Sequence, residues 1–400
     1  MNILVIANKI PMPDRASGEF RFYHILKSLA STHTITFHPF SRSTQENKYG
    51  INEVNRYQLE LEELNIFVSK NNLPSLLRNE VFDAVFFEFY FSAIPFLEDV
   101  RYWQPKAHVL IDSVDIHFNR LYSKAALTGY SNDFQLAQKM KRLELTTYCK
   151  ADLIVTVTPD DENILLSENP VLKTCIIPNL HPTPDTTSTI RKESNGLLFV
   201  GAFDHEPNVN AMLYFSADIL PLIIEKYPDI KLTIIGNNPP NEIQALANRS
   251  IDVLGYVPDI APYLSSCYIS IAPLLFGGGM KGKIGEAMSY GLPVVTTEVG
   301  IEGFGLTPEV NVLVGNTPEQ FSSQIIKLLA NPDFHNTISD NGRKFIIDNF
   351  SFQAVDKTIH SIFDDFDHLE INTISPILRL KKTVEIFFTD HILWRIKKTT

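Results

Sequence analysis

The 400-residue chain carries 35 Lys and Arg against 46 Asp and Glu, a formal net charge of −11, and 44% of its residues are hydrophobic. That length and apolar content suffice for two or three domains with sizeable cores, and the acidic balance argues against a nucleic-acid partner. The cysteines Cys149, Cys175 and Cys267 are odd in number and widely spaced, which speaks against a disulfide framework or a paired-cysteine metal site and for a reducing compartment.

The first element, "NILVIA", reads as a buried strand; its apolar run is too short, and lacks a basic leader, for a signal peptide. "TITFHPF", "DAVFFEF", "AHVLID" and "DLIVTVT" continue the strands, with "EFRFYHILKSLA" and "FQLAQKMKRLELTTYCK" as helices between them. Continuous apolar strands separated by helices imply a parallel sheet covered on both faces. "CIIPNLHPTPDTTSTIRKESNG" holds Pro178, Pro182 and Pro184 before a polar stretch and reads as a linker. The alternation then restarts with strands "GLLFVG", "KLTIIG", "IDVLG", "CYISIAPL" and "GLPVVTT" and helices "NVNAMLYFSADILPLIIEKY" and "GKIGEAMSY". The expected class is therefore α/β, with two doubly wound Rossmann-like domains, residues 1–185 and 186–350, facing across a cleft. A helical segment, 351–375, is expected to pack back towards the first domain. No run of 18 apolar residues occurs, so no transmembrane helix is expected. The tail, 376–400, carries six Lys and Arg against two Asp and Glu, and Ile377, Leu380, Val384, Phe387 and Trp394 fall near one helical face. Two readings stay open for it: a helix packed on the body, or one lying on an anionic membrane surface.

Several loops after strands carry chemistry. In "FGGGMKGKIGEAMSY", Gly277, Gly278 and Gly279 precede a helix with Lys281 and Lys283 at its start and Glu286 one turn on. Free N–H groups, a positive helix end and two lysines suit a diphosphate; the alternative is a surface Lys283–Glu286 pair and a plain turn. Ser17 and Gly18 precede another helix, with Arg21 in its first turn, which offers a second anion site. The dinucleotide fingerprint GxGxxG is absent. "IDSVDIHFNR" places Asp112, Asp115, His117 and Arg120 beyond a strand end, either in the cleft or as a self-bonded loop. Gly201 allows close approach, Asn208 reads as a helix cap, Tyr256 and Val257 offer an edge to a nucleobase or to the core, and Glu302 reads as a sugar-binding or an exposed carboxylate. None of these spacings matches a metal site.

In order and combination, "LLFVGAFDHEPNVNAMLYF", "LTIIG", "VLGYVPDIAPYL" and "GGGMKGKIGEAMSYGLPVVTTEVGIEGF" resemble the retaining glycosyltransferases of family four, which have the GT-B fold. The resemblance covers about residues 1–365, and "IDSVDIHFNR" with "IIPNLHP" looks like a bacterial subgroup that builds surface glycans. It implies a nucleotide-sugar donor, UDP- or GDP-linked, held mainly by the second domain, and a glycan, lipid-linked or protein acceptor held mainly by the first. It implies no cofactor, no metal and a cytoplasmic enzyme, peripheral on the inner face of the membrane if the tail docks there. By motif match Lys281 and Lys283 hold the donor diphosphate, Glu286 the ribose, Gly18 lies beside the phosphates and His117 contacts the transferred sugar. The paired-glutamate pattern of that family has Gly278 here in place of its first carboxylate, so backbone N–H groups of Gly278 and Gly279 are the expected substitutes. That departure keeps two alternatives open: a catalytically silent GT-B partner protein, or a nucleotide-sugar epimerase or hydrolase of the same fold.

Overall fold

A computed structural model describes residues 1–184, 195–364 and 366–388. The expected domain boundary at 185/186 and the end of the tail, including Trp394, lie outside the described residues. The first sheet comprises β1 (Asn2–Ala7), β2 (Thr34–Pro39), β3 (Phe67–Val68), β4 (Ala84–Glu88), β5 (His108–Asp112), β6 (Leu153–Thr156) and β7 (Thr174–Ile176), in the order β3-β2-β1-β4-β5-β6-β7. The second comprises β8 (Gly196–Val200), β9 (Lys231–Ile235), β10 (Ile251–Gly255), β11 (Ile269–Ala272), β12 (Val294–Thr296) and β13 (Leu313–Val314), in the order β10-β9-β8-β11-β12-β13. All pairings within both sheets are parallel.

In the central strands the residues alternate between two buried faces rather than between core and solvent, whereas the edge strand β10 alternates buried with more exposed residues. In β1, Ile3 and Val5 enter one cluster with Phe22, Ile25 and Leu29 of the helix Ser17–Ala30, while Leu4 and Ile6 enter another with Leu97 and Val100. This double burial is why the strands read as unbroken apolar runs. The helix Phe352–Asp364 adds Val355, Ile359 and Phe363 to the first of these clusters, so the chain end stabilises the first domain. The crossing is tied by one parallel bridge between His181 and Ser351, with the His181 N–H donating to the Phe350 carbonyl at 2.8 Å.

Three strands escaped the sequence reading: β3, β7 and β13 are two or three residues long, too short to show a period. β7 overlaps Cys175, so the linker begins after Ile176 rather than at Cys175. The helix expected over "NVNAMLYFSADILPLIIEKY" is interrupted: Glu206–Tyr214 passes through a π turn, Phe215–Ile219, into Leu220–Ile224. Pro221 lacks an N–H and crowds the preceding turn, which explains the irregularity. Glu206–Ile224 is also long and apolar enough to cross a membrane, but Ala211, Met212, Phe215, Ile219 and Ile223 sit in the second domain's core.

The strand order reverses between β1 and β4 in one sheet and between β8 and β11 in the other. Such switch points open a crevice beyond the carboxyl ends of the strands. The loop 8–16 leaves β1 and the loop 273–281, which bears Gly277, Gly278 and Gly279, leaves β11, so both loops start at a switch point; Ser17 and Gly18 open the helix Ser17–Ala30 rather than precede it.

Candidate active site between two helix starts

The helices Ser17–Ala30 and Gly282–Ser289 begin against one another. A Cβ on Gly282 would come within 2.5 Å of Ser17 Oγ, so this approach demands glycine. Neither helix start carries a side-chain cap, which leaves first-turn N–H groups and two positive helix ends directed at one place. Lys281 caps the second helix from a position only 8% exposed. Its ammonium bonds Glu302 at 2.9 Å, and burial lowers its pKa against the raising effect of Glu302. The Lys283 ammonium bonds Asn208 Oδ1 and lies 4.5 Å from the centre of the Phe199 ring. Burial, with the neighbouring charge of Lys281, brings its pKa down to about 7. A Cβ on Gly201 would stand 3.0 Å from Lys283 Nζ, so only glycine leaves that ammonium its place. Glu286 has no ion pair or side-chain hydrogen bond among the described residues, and burial raises its carboxyl to about 7.

The first domain supplies the opposite wall. Asp115 bonds His117 Nε2 at 2.8 Å and Arg120 at 3.3 Å. Burial alone would raise the Asp115 carboxyl, but the bond to His117 and the charges of His117, Arg120 and His205 outweigh it and hold it low. The other ring nitrogen of His117 lies 3.4 Å from the Tyr90 hydroxyl, and Phe89 and Phe91 flank the ring with centroids at 5.9 and 6.1 Å. Phe89 and Val114 hold φ of 64° and 59° just beyond β4 and β5, an uncommon conformation for such side chains and one that concentrates at functional sites. This wall meets the glycine loop: a Cβ on Gly278 would lie 3.1 Å from Arg120 Cβ, and one on Gly279, at φ 64°, would lie 3.4 Å from Asp115 Cβ.

The structure thus gathers Gly18, Gly201, Gly278, Gly279, Lys281, Lys283 and Glu302 with Asp115, His117 and Arg120 around one cleft; Glu286 lies one turn into the helix that starts there. Two residues do not reach the cleft. Arg21 is fully buried and bonds Asp112 at 2.5 Å and the Ile177 carbonyl at 2.7 and 3.1 Å; its charge is neutralised inside the first domain, so it is a framework residue rather than an anion ligand. Asp112, equally buried, is its partner. Asn208 does not cap its helix: its amide donates to the Ala202 carbonyl at 2.7 Å, and its oxygen receives Lys283. The Lys283–Glu286 surface pair does not form either. Val257 packs at the edge of a second-domain cluster. Tyr256 faces the first domain, its hydroxyl 3.5 Å from Asp14. Arg15 lies between the rings of Tyr49 and Tyr256, at 5.1 and 5.3 Å from their centres. The sequence reading missed Asp14 and Arg15; their signal is their place in the loop leaving the switch-point strand. Among the described residues no three His, Cys, Asp or Glu side chains gather to hold a metal ion.

Two facing domains of parallel strands, joined at a crossing where the final helices return to the first domain, define the GT-B fold. The fold is shared with sucrose-phosphate synthase from Thermosynechococcus elongatus, at a TM-score of 0.67 and 14% identity over 92% of this chain and 98% of that one. It is shared too with Anabaena HepE in complex with UDP and glucose, at 0.64 and 14% over 91% and 99%. Residues 194–331 match the family model for glycosyl transferases group 1. An uncharacterised 44.6 kDa protein of the cps region of Klebsiella pneumoniae is 31% identical over 41% of this chain and 44% of its own length. The phosphatidyl-myo-inositol mannosyltransferase of Mycobacterium tuberculosis is 27% identical over 27% and 29%. The matches therefore span less than half the length of these curated relatives.

Proposed function

We propose that the protein is a retaining, metal-independent glycosyltransferase that moves a hexosyl unit from a UDP- or GDP-sugar to a glycan, lipid-linked or protein-linked acceptor. One observation carries this reading: two uncapped helix starts from different domains converge beside Lys281 and Lys283, an arrangement suited to a diphosphate. A HepE structure holds UDP-glucose, and a relative lies in a cps region; both support a nucleotide-sugar donor and a surface-glycan product.

Departure of the nucleoside diphosphate builds negative charge, which Lys281, Lys283 and the helix starts stabilise as preorganised groups. The anomeric carbon gains oxocarbenium character. The acceptor hydroxyl attacks from the face the diphosphate leaves, forming the new C–O bond as the old one breaks, and the departing phosphate takes the hydroxyl proton. No protein nucleophile is required. In this reading Glu286, half-buried and without an ion pair among the described residues, bonds the ribose hydroxyls. Asp115 orients the His117 imidazole on the wall that faces the transferred sugar. Contact between the domains excludes water and aligns the reactants.

Calorimetry with UDP, GDP, UDP-glucose and GDP-mannose tests the reading. Binding of at least one diphosphate, lost in Lys283→Ala, is the expected result; absence of binding by all four overturns it. Tight binding with no release of diphosphate across acceptors would instead favour a silent binding partner of the same fold.

A further inference from the structure

The helix Pro376–Phe388 meets the body through a mixed side of polar and aliphatic residues. Lys382 bonds Asp99 at 2.7 Å, the Thr383 hydroxyl lies 3.0 Å from that of Tyr102, and the Arg379 guanidinium stands 5.9 Å from the Tyr102 ring centre. Its half-buried positions, Leu378, Lys382 and Ile386, recur every fourth residue and mark the docked side. Ile377, Leu380 and Val384 recur at three and four residues on the opposite side and are 83%, 67% and 51% exposed. A helix that buries one side normally turns charge to water on the other. Here an aliphatic stripe faces outward, with the exposed Lys381 beside it, its ammonium 3.9 Å from Glu385.

We propose that this stripe is a docking surface for an anionic lipid bilayer. Charge complementarity selects this occupant. The body is acidic, in a chain of net charge −11, yet the segment 376–400 holds six Lys and Arg against two Asp and Glu, with Arg395, Lys397 and Lys398 following Trp394 in sequence. Aliphatic side chains enter the headgroup boundary while neighbouring cations meet lipid phosphates. A stable pair of copies requires about 800 Å² per partner, more than three aliphatic side chains on one short helix supply.

The test is sedimentation of the full-length protein with phosphatidylcholine vesicles, with and without phosphatidylglycerol, at low and high salt. The protein is expected to pellet with the anionic vesicles at low salt and to be released by high salt. A Leu380→Asp, Val384→Asp double variant is expected to partition roughly tenfold less with an unchanged melting temperature, because both positions are exposed. If that variant melts earlier, Lys381→Glu reads the same contact through charge and is expected to weaken anionic-vesicle binding alone. No pelleting of the parent protein overturns the proposal. So does equal pelleting of variants and parent, or a dimer by light scattering that the double variant dissolves.

Discussion

A Cβ on Gly278 would lie 3.1 Å from the Cβ of Arg120. The second domain's glycine loop and the first domain's Asp115–His117–Arg120 wall are fitted to each other without a side chain at that position. Gly278→Ala is expected to fold and to require only a few tenths of an ångström of yielding. Gly278→Glu is expected to push Arg120 away, part the domains and weaken UDP or GDP binding, read as a larger radius of gyration in solution scattering. An unchanged radius and affinity in Gly278→Glu would refute this account of the closed cleft.

Lys283 should make diphosphate binding pH-dependent. Its pKa of about 7 in the free protein means that the ammonium is present below pH 7 and is lost above it. A bound diphosphate favours the charged form, so binding above neutrality takes up a proton. Affinity for UDP or GDP is expected to fall about tenfold per pH unit at most above pH 7. Lys283→Met is expected to bind weakly and to flatten that slope, measured by calorimetry across pH.

Gly285 faces His181 at the crossing between domains. A Cβ there would come within 2.5 Å of His181 Cδ2 and overlap Nε2, and His181 is only 3% exposed. Gly285→Ala is expected to cost about 1–3 kcal/mol of stability through overpacking. His181→Ala in the same chain should recover part of that loss, and the interaction energy from the four thermal or urea unfolding curves measures the contact.

Glu88 ends β4 with 6% exposure and no side-chain hydrogen bond or ion pair among the described residues. Burial first, then the charges of Glu19 and Asp112, raise its carboxyl from 4.5 to about 8. Between those values the folded chain holds a proton that the unfolded chain releases, so stability falls as pH rises, at about 1.4 kcal/mol per unit. Glu88→Gln is expected to match the parent near pH 5 and to surpass it increasingly up to pH 8, read as melting temperature against pH. A constant difference across that range would show that Glu88 is charged in the fold.

The alternating apolar runs and helices were legible as two parallel sheets because strands buried on both faces have no polar period to confuse them. The cluster of glycines, lysines and a helix start, proposed above to hold a diphosphate, was legible because its members lie together in the chain. Arg21 was misread for the same local reason: a cation in a first helical turn looks like an anion ligand until Asp112, 91 residues away, is seen to neutralise it. Asn208 looked like a cap because its neighbours in sequence begin a helix, whereas its bonds go to Ala202 and to Lys283, 75 residues on.

The stretch "FGGGMKGKIGEAMSY" divides along that line. Sequence by itself determined the sheets and the adjacency of glycines, lysines and a helix start, since these follow from periodicity and neighbourhood along the chain. Only the tertiary structure decided that Gly278 abuts Arg120, that Lys283 is desolvated against Phe199 and Asn208, and that the tail helix turns its aliphatic stripe outward. Those outcomes depend on which surfaces meet after the domains close, and contact between distant segments is set by packing and burial rather than by local pattern.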